Sequence, residues 1–141
     1  MPLEQYEQIK QLEDEVLEMG VENVKTFVIC SGLIYGNGEN AFYELVKSSW
    51  IQDPRELPYY GDGTNLVPTI HVKDLVKFCL KIAETTPENN PYHFAFDNSD
   101  DRTLRSIIKS LSKKIGSGGT LSIEGETELI PKDYEDMFKA N

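Results

Sequence analysis

Apolar Ile9, Leu12, Val16 and Met19 recur at i, i+3, i+7 and i+10 with acids between them, which predicts an amphipathic helix from Leu3 to Met19. Gly20 stands where a helix should stop. The period then changes. Phe27-Val28-Ile29-Cys30 is a continuous run of β-branched and aromatic type, the pattern of a strand buried on both faces, and it empties into Ser31-Gly32 and Tyr35-Gly36-Asn37-Gly38. Open α/β sheets place their sites in loops of this kind, so one wall of any site is expected here. A helical pattern returns from Ala41 to Trp50, with Phe42, Leu45, Val46 and Trp50 inward, until Pro54 forbids continuation. Leu57-Pro58-Tyr59-Tyr60 leads into the turn Gly61-Asp62-Gly63, and Leu66 to Val72 reads as a short strand interrupted by Pro68, suited to an edge or a bulge. Asp74 to Glu84 is a third helix with Leu75, Phe78, Cys79 and Ile82 on one face. Tyr92 to Asp97 is a strand, and Asp100-Asp101 caps a helix from Arg102 to Ile115 that is apolar at Leu104, Ile107, Ile108 and Leu111. Ser117 to Thr120 reads as a flexible link, Leu121 to Ile123 as a short strand, and Pro131 to Phe138 as a last helical stretch.

Strands alternating with helices predict an α/β fold with a largely parallel sheet, and 141 residues suffice for one domain or part of a larger one. Composition narrows the function classes. A formal charge of −10 opposes sequence-independent binding to nucleic acid, and Lys109, Lys113 and Lys114 on one helix read as a solvated face. No apolar run approaches the roughly 20 residues that cross a bilayer, and MPLEQYEQIK lacks the features of a secretory signal, so no membrane partner and a cytoplasmic place are expected. Cys30 and Cys79, without C-x-x-C spacing, read as reduced, packed thiols; with only His71 and His93 besides, no metal site is expected.

Three glycine-rich loops bear on nucleotide chemistry. Gly36-Asn37-Gly38-Glu39-Asn40-Ala41 has the G-x-G-x-x-A order between strand and helix, but no acid closes the next strand to hold a ribose. Ile115-Gly116-Ser117-Gly118-Gly119-Thr120 has the composition of a phosphate loop but no lysine after it, and Gly61-Asp62-Gly63 is a tight turn. Tyr6 and Lys10, spaced i, i+4, share a helical face. A lysine charge beside a phenol favours phenolate and general acid or base chemistry, although on spacing alone a solvated surface pair is favoured. His71 on an apolar strand reads as structural, with Asp74 in a helix first turn complementing the dipole.

The order Tyr6-x-x-x-Lys10, Phe27-Val28-Ile29, Tyr35-Gly36-x-Gly38, Gly61-Asp62-Gly63, Ile70-His71-Val72-x-Asp74-Leu75 and Tyr92-His93-Phe94 resembles the C-terminal half of an extended short-chain dehydrogenase/reductase of the NAD-dependent epimerase type. The resemblance implies a partial Rossmann-like domain over residues 1–141, with 117–141 a peripheral tail. It puts Tyr6 and Lys10 at the catalytic positions and brings Ser31, Gly32 and Leu33, with Lys10, towards a nicotinamide. The dinucleotide fingerprint of such enzymes lies upstream of the matched part, so no cofactor is expected in this chain alone, and NAD(P) only in a complete domain. Where sugar-nucleotide enzymes of the family place arginines, this chain has Cys30 and Val67, and Glu7 and Ile9 replace the usual small residues around the catalytic pair. Such departures suit a retired active site.

SGLIYGNGEN, YGDGTNLVPTIHVKDL and TLRSIIKSLSKKIGSG further resemble the dehydrogenase-like N-terminal region of the ciliary adenylate kinases, and Asp133 to Met137 resembles the stretch just C-terminal to that region. That resemblance implies a longer parent chain, a place in the axoneme of a cilium or flagellum, and as partners other axonemal proteins and the remainder of the chain itself. The first expectation is thus a non-catalytic interaction module. The second is the substrate-side half of an NAD(P)-dependent oxidoreductase using Tyr6 and Lys10, and the third a nucleotide-sensing module.

Overall fold

A computed structural model describes residues 6–38, 40–88, 90–99 and 102–124. In chain order its elements are α1 (Glu7–Glu18), β1 (Val28–Ser31), β2 (Leu33–Tyr35), α2 (Tyr43–Ile51), β3 (Leu57–Tyr60), β4 (Thr69–His71), α3 (Val72–Thr85), β5 (Tyr92–Ala95), α4 (Leu104–Ile115) and β6 (Thr120–Ile123). The strand pairs β1·β5, β2·β4 and β3·β6 are all parallel. This is an α/β fold of open parallel pairs flanked by helices, consistent with a Rossmann-like arrangement. Two units emerge, Met1–Asn37 with Thr69–Asp97, and Gly38–Pro68 with Asn98–Asn141.

In the first unit, Val28 pairs with Tyr92 and Ser31 with Ala95, and the Gly32 N–H extends the ladder by donating to Ala95 O at 2.9 Å. The chain breaks step at Gly32 and continues as β2, where Leu33 lies opposite Thr69 and Tyr35 opposite His71. Asp97 N–H donates to Thr69 O at 2.7 Å, tying the end of β5 to β4. The burial on both faces expected of the central strand is not reached: β1 is half-buried, and Phe94 of β5 is 69% exposed. Helix α1 has the expected period, yet Ile9, Leu12 and Met19 are exposed. Its expected start at Leu3 lies outside the described residues. Gly20 follows the C-cap Met19, as expected. Helix α3 begins two residues before the expected Asp74, because the His71 imidazole caps it, Nδ1 accepting from the Lys73 N–H at 3.1 Å. Leu75, Phe78 and Ile82 are half-buried on α3, but Cys79, expected to be packed with them, is exposed.

In the second unit, α2 and α4 pack with β3 around Leu45, Leu57, Leu104 and Ile108, and Phe42, Tyr59, Val67 and Leu111 close over this core. Between the helices the buried residues are small. Ser49 Oγ donates to Leu111 O at 3.3 Å, and a Cβ on Gly116 would lie 2.9 Å from Ser49 O. This close approach turns Leu45 and Ser49 inward and leaves Trp50 76% and Val46 37% exposed, correcting the inward face expected of α2. Strand β3 was not expected, since Pro58 lies within it. Leu57 donates to Gly119 O, so strand alternation turns the Pro58 nitrogen to the unpaired edge, where no donor is needed. Thr103 caps α4 by accepting from the Ser106 N–H at 3.3 Å; the Asp100-Asp101 cap, like the helix expected from Pro131 to Phe138, lies outside the described residues. The expected link from Ser117 is held in place: Gly118 N–H donates to Ser112 O, Ser112 Oγ to Gly119 O at 2.6 Å, and Ser117 Oγ to Arg55 O.

Candidate functional site

Polar side chains from β2, β4 and the residues after β5 come together in the first unit. Tyr35 ends β2 and its hydroxyl donates to Asp97 Oδ2 at 3.1 Å; Thr69 Oγ1, from the start of β4, donates to the same oxygen at 3.5 Å. The His71 ring meets Tyr35 edge to face, centroids 5.3 Å apart. Burial, then the bond to Asp97, pushes the Tyr35 phenol above its usual value, so at neutral pH it is a proton donor held on a carboxylate. His71 has spent Nδ1 as the cap of α3. Asp74, in the first turn of that helix as expected, is held below its usual value by the Lys77 ammonium at 2.7 Å. The Tyr35–Asp97 pair was missed in the sequence because the partners lie far apart in it; the one visible signal was an aspartate closing an apolar strand.

The family-derived site residues lie as follows. Tyr6 is the N-cap residue of α1 and is 42% exposed. Lys10 follows one turn later, and its ammonium bonds Asp14, a further turn along the helix. That bond, with a smaller contribution from the Tyr92 phenol on β5, raises the Lys10 pKa. The Tyr92 hydroxyl is itself buried and makes no hydrogen bond of normal geometry. A raised lysine pKa keeps the ammonium charged, but its charge is neutralised locally by Asp14, which weakens its leverage on any phenol. Ser31 is exposed at the end of β1, the Gly32 amide is committed to Ala95 O, and Leu33 is within β2. Of Ser31, Gly32 and Leu33, only Ser31 carries a polar side chain that a cofactor could meet. Burial raises the Cys30 thiol, an unreactive state.

The glycine loops have structural explanations. Gly36 has φ +92°, and a Cβ there would lie 2.6 Å from His71 Cδ2, so this glycine makes room for the chain's own histidine. In Gly116 to Gly119 the Gly116 and Gly118 amides donate to Ser112 O and the Gly119 amide to Ser117 Oγ. Those donors are unavailable to a phosphate. Gly61-Asp62-Gly63 is the expected turn, with Asp62 accepting from the Thr64 amide and hydroxyl and thereby held below its usual value. Among the described residues no group of three or more His, Cys, Asp and Glu is placed to hold a metal ion, and no helix is long and apolar enough to cross a membrane.

The chain is 34% identical over 123 residues to adenylate kinase 7 of Macaca fascicularis, a match covering 86% of this chain and 23% of that protein. It is likewise 34% identical over 125 residues to adenylate kinase 7 of Mus musculus, covering 87% of this chain and 20% of that protein. It therefore spans about a fifth to a quarter of the length of these curated relatives and shares a distant, partial homology with an adenylate-kinase-7-like protein. No family model matches the chain.

Proposed function

We propose that these residues form a non-catalytic structural and interaction module of a cilium- or axoneme-associated adenylate-kinase-7-like protein, built as one partial short-chain-dehydrogenase-like domain over residues 1–141 with 117–141 at its periphery. The observation that carries this is the amount of large apolar surface left uncovered on regular elements. Tyr43, Trp50 and Ile51 are exposed on α2, Ile9 and Leu12 on α1 with Met19 at its C-cap, and Phe94 on β5. Contiguous apolar surface on a folded helix or strand is normally covered by a partner. Other axonemal proteins and the remainder of a longer chain are the partners proposed, in the cytoplasmic space of the cilium. Phosphotransfer belongs to the relatives' name and is not assigned to these residues, whose glycine amides at 116, 118 and 119 are bonded internally.

The second function, the substrate-side half of an NAD(P)-dependent oxidoreductase, is favoured by the i, i+4 placement of Tyr6 and Lys10 on α1. Against it stands the Lys10–Asp14 ion pair, which occupies the ammonium that would tune Tyr6. Calorimetric titration of NAD⁺ and NADPH into the full-length protein separates the two, with Tyr6→Phe and Lys10→Met alongside. No heat with either cofactor is expected. Micromolar binding that weakens in Lys10→Met would overturn the module in favour of the enzyme.

A further inference from the structure

In a chain of 24 acids and 14 bases, α4 carries Arg105, Lys109, Lys113 and Lys114 and not one acid among its 12 residues. Arg105, Lys109 and Lys113 recur at every fourth position, forming one stripe about 12 Å long on the helix surface. All three are exposed, while Leu104, Ile108 and Ser112, one position before each, are buried and fix the stripe's outward direction. The lysines in ion pairs among the described residues are Lys10, Lys25, Lys47 and Lys77, none of them on α4. Asp62 is the acid that feels Arg105, and its carboxylate is already engaged by Thr64. Where α4 ends, an open groove of about 590 Å³ begins, lined by Pro54, Arg55, Glu56, Ser117, Gly119 and Leu121.

We propose that the stripe and the groove together dock an acidic peptide segment of a partner protein. Its carboxylates lie along Arg105, Lys109 and Lys113, and an apolar side chain enters the groove against Pro54 and Leu121. Pro54 and Leu121 give the groove an apolar wall, and Glu56 with the negative end of the helix dipole offsets Arg55 there, so the groove suits an apolar side chain better than an acid. That sets the register along α4, acids beside the helix and the apolar residue beyond its C-terminal end. A short peptide is favoured over nucleic acid or an anionic membrane because the stripe spans only about two helical turns. A longer polyanion would run onto the surface of a chain whose net charge is −10. This surface gives a partner chemistry to the interaction module and presupposes it; the two fail separately, because cofactor binding would remove the module and leave the peptide titration unchanged.

The test is fluorescence anisotropy of the full chain with a labelled peptide of glutamates carrying a leucine at each end, about eight residues long. Lys109→Glu/Lys113→Glu should weaken binding about tenfold or more, and Lys109→Gln/Lys113→Gln by less. Lys81→Glu, a charge reversal of the same kind on α3, should leave it within about twofold. Circular dichroism of each variant checks that α4 remains folded. Binding should also weaken as salt rises. Equal loss in Lys81→Glu, tighter binding to an RNA oligonucleotide or to phosphatidylserine vesicles than to the peptide, or no binding to the peptide would each overturn the proposal.

Discussion

Ile108→Ala should lower stability by about 3 kcal/mol, seen as a shift of the urea midpoint followed by circular dichroism. Ile108 is fully buried, the central side chain of the cluster with Leu45, Leu57 and Leu104. Two features prevent the site from collapsing around the lost methylenes. The buried serines of α2 and α4, Ser49 and Ser112, are small and hydrogen-bonded to backbone carbonyls, so neither is free to swing into a cavity. Gly116 already holds α4 against α2 with no side chain to spare. A loss well under 1 kcal/mol would mean that the helices approach less closely than described. Ile107, half-buried one position earlier, supplies the comparison: its truncation should cost visibly less.

Gly36→Ala is expected to cost about 2–3 kcal/mol, more than a helix-interior substitution of the same size. Its φ of +92° is strained for any residue with a Cβ, and that Cβ would collide with the His71 ring. The ring cannot retreat freely, since its Nδ1 caps α3 and it packs edge to face with Tyr35. His71→Ala alone should lose the cap, about 1 kcal/mol. In the double variant the collision disappears while the strain of positive φ remains, so the combined loss should fall short of the sum by about 1 kcal/mol. Strict additivity would show that His71 does not lie over Gly36. The same cycle bears on function, because a glycine kept for a pyrophosphate would show no coupling to His71.

Much of the architecture was legible because the signals were periodic. The spacing of Leu104, Ile108 and Leu111 gave α4, and the β-branched run at Phe27 to Cys30 gave the strand that became β1. The inward face of α2 was misread for a physical reason: Trp50 and Val46 are more hydrophobic than Ser49, but only a serine is small enough for the approach of α4. β3 was hidden by Pro58, which is tolerated because of the hydrogen-bond phase of one particular edge. Of the polar chemistry, Tyr35 and Asp97 were missed, since only the pairing of β2 with β4 and the tie of Asp97 to Thr69 bring them together. Tyr6 and Lys10 were visible as a spacing. That Lys10 would choose Asp14 was not, because in an acid-rich helix several i, i+4 partners compete for one ammonium.

The central proposal, a module held by partners rather than by a cofactor, is most directly tested on α2. Its exposed Tyr43, Trp50 and Ile51 lie opposite a face already filled by the core, so changing them should leave folding intact. The measurement is retention of the full-length protein in detergent-extracted axonemes of ciliated cells, wild type against Trp50→Glu/Ile51→Glu, with circular dichroism of the purified variant as the folding control. Retention of the wild type and release of a normally folded variant into the soluble fraction is the expected result. Complete extraction of the wild type, or equal retention of both, would contradict it.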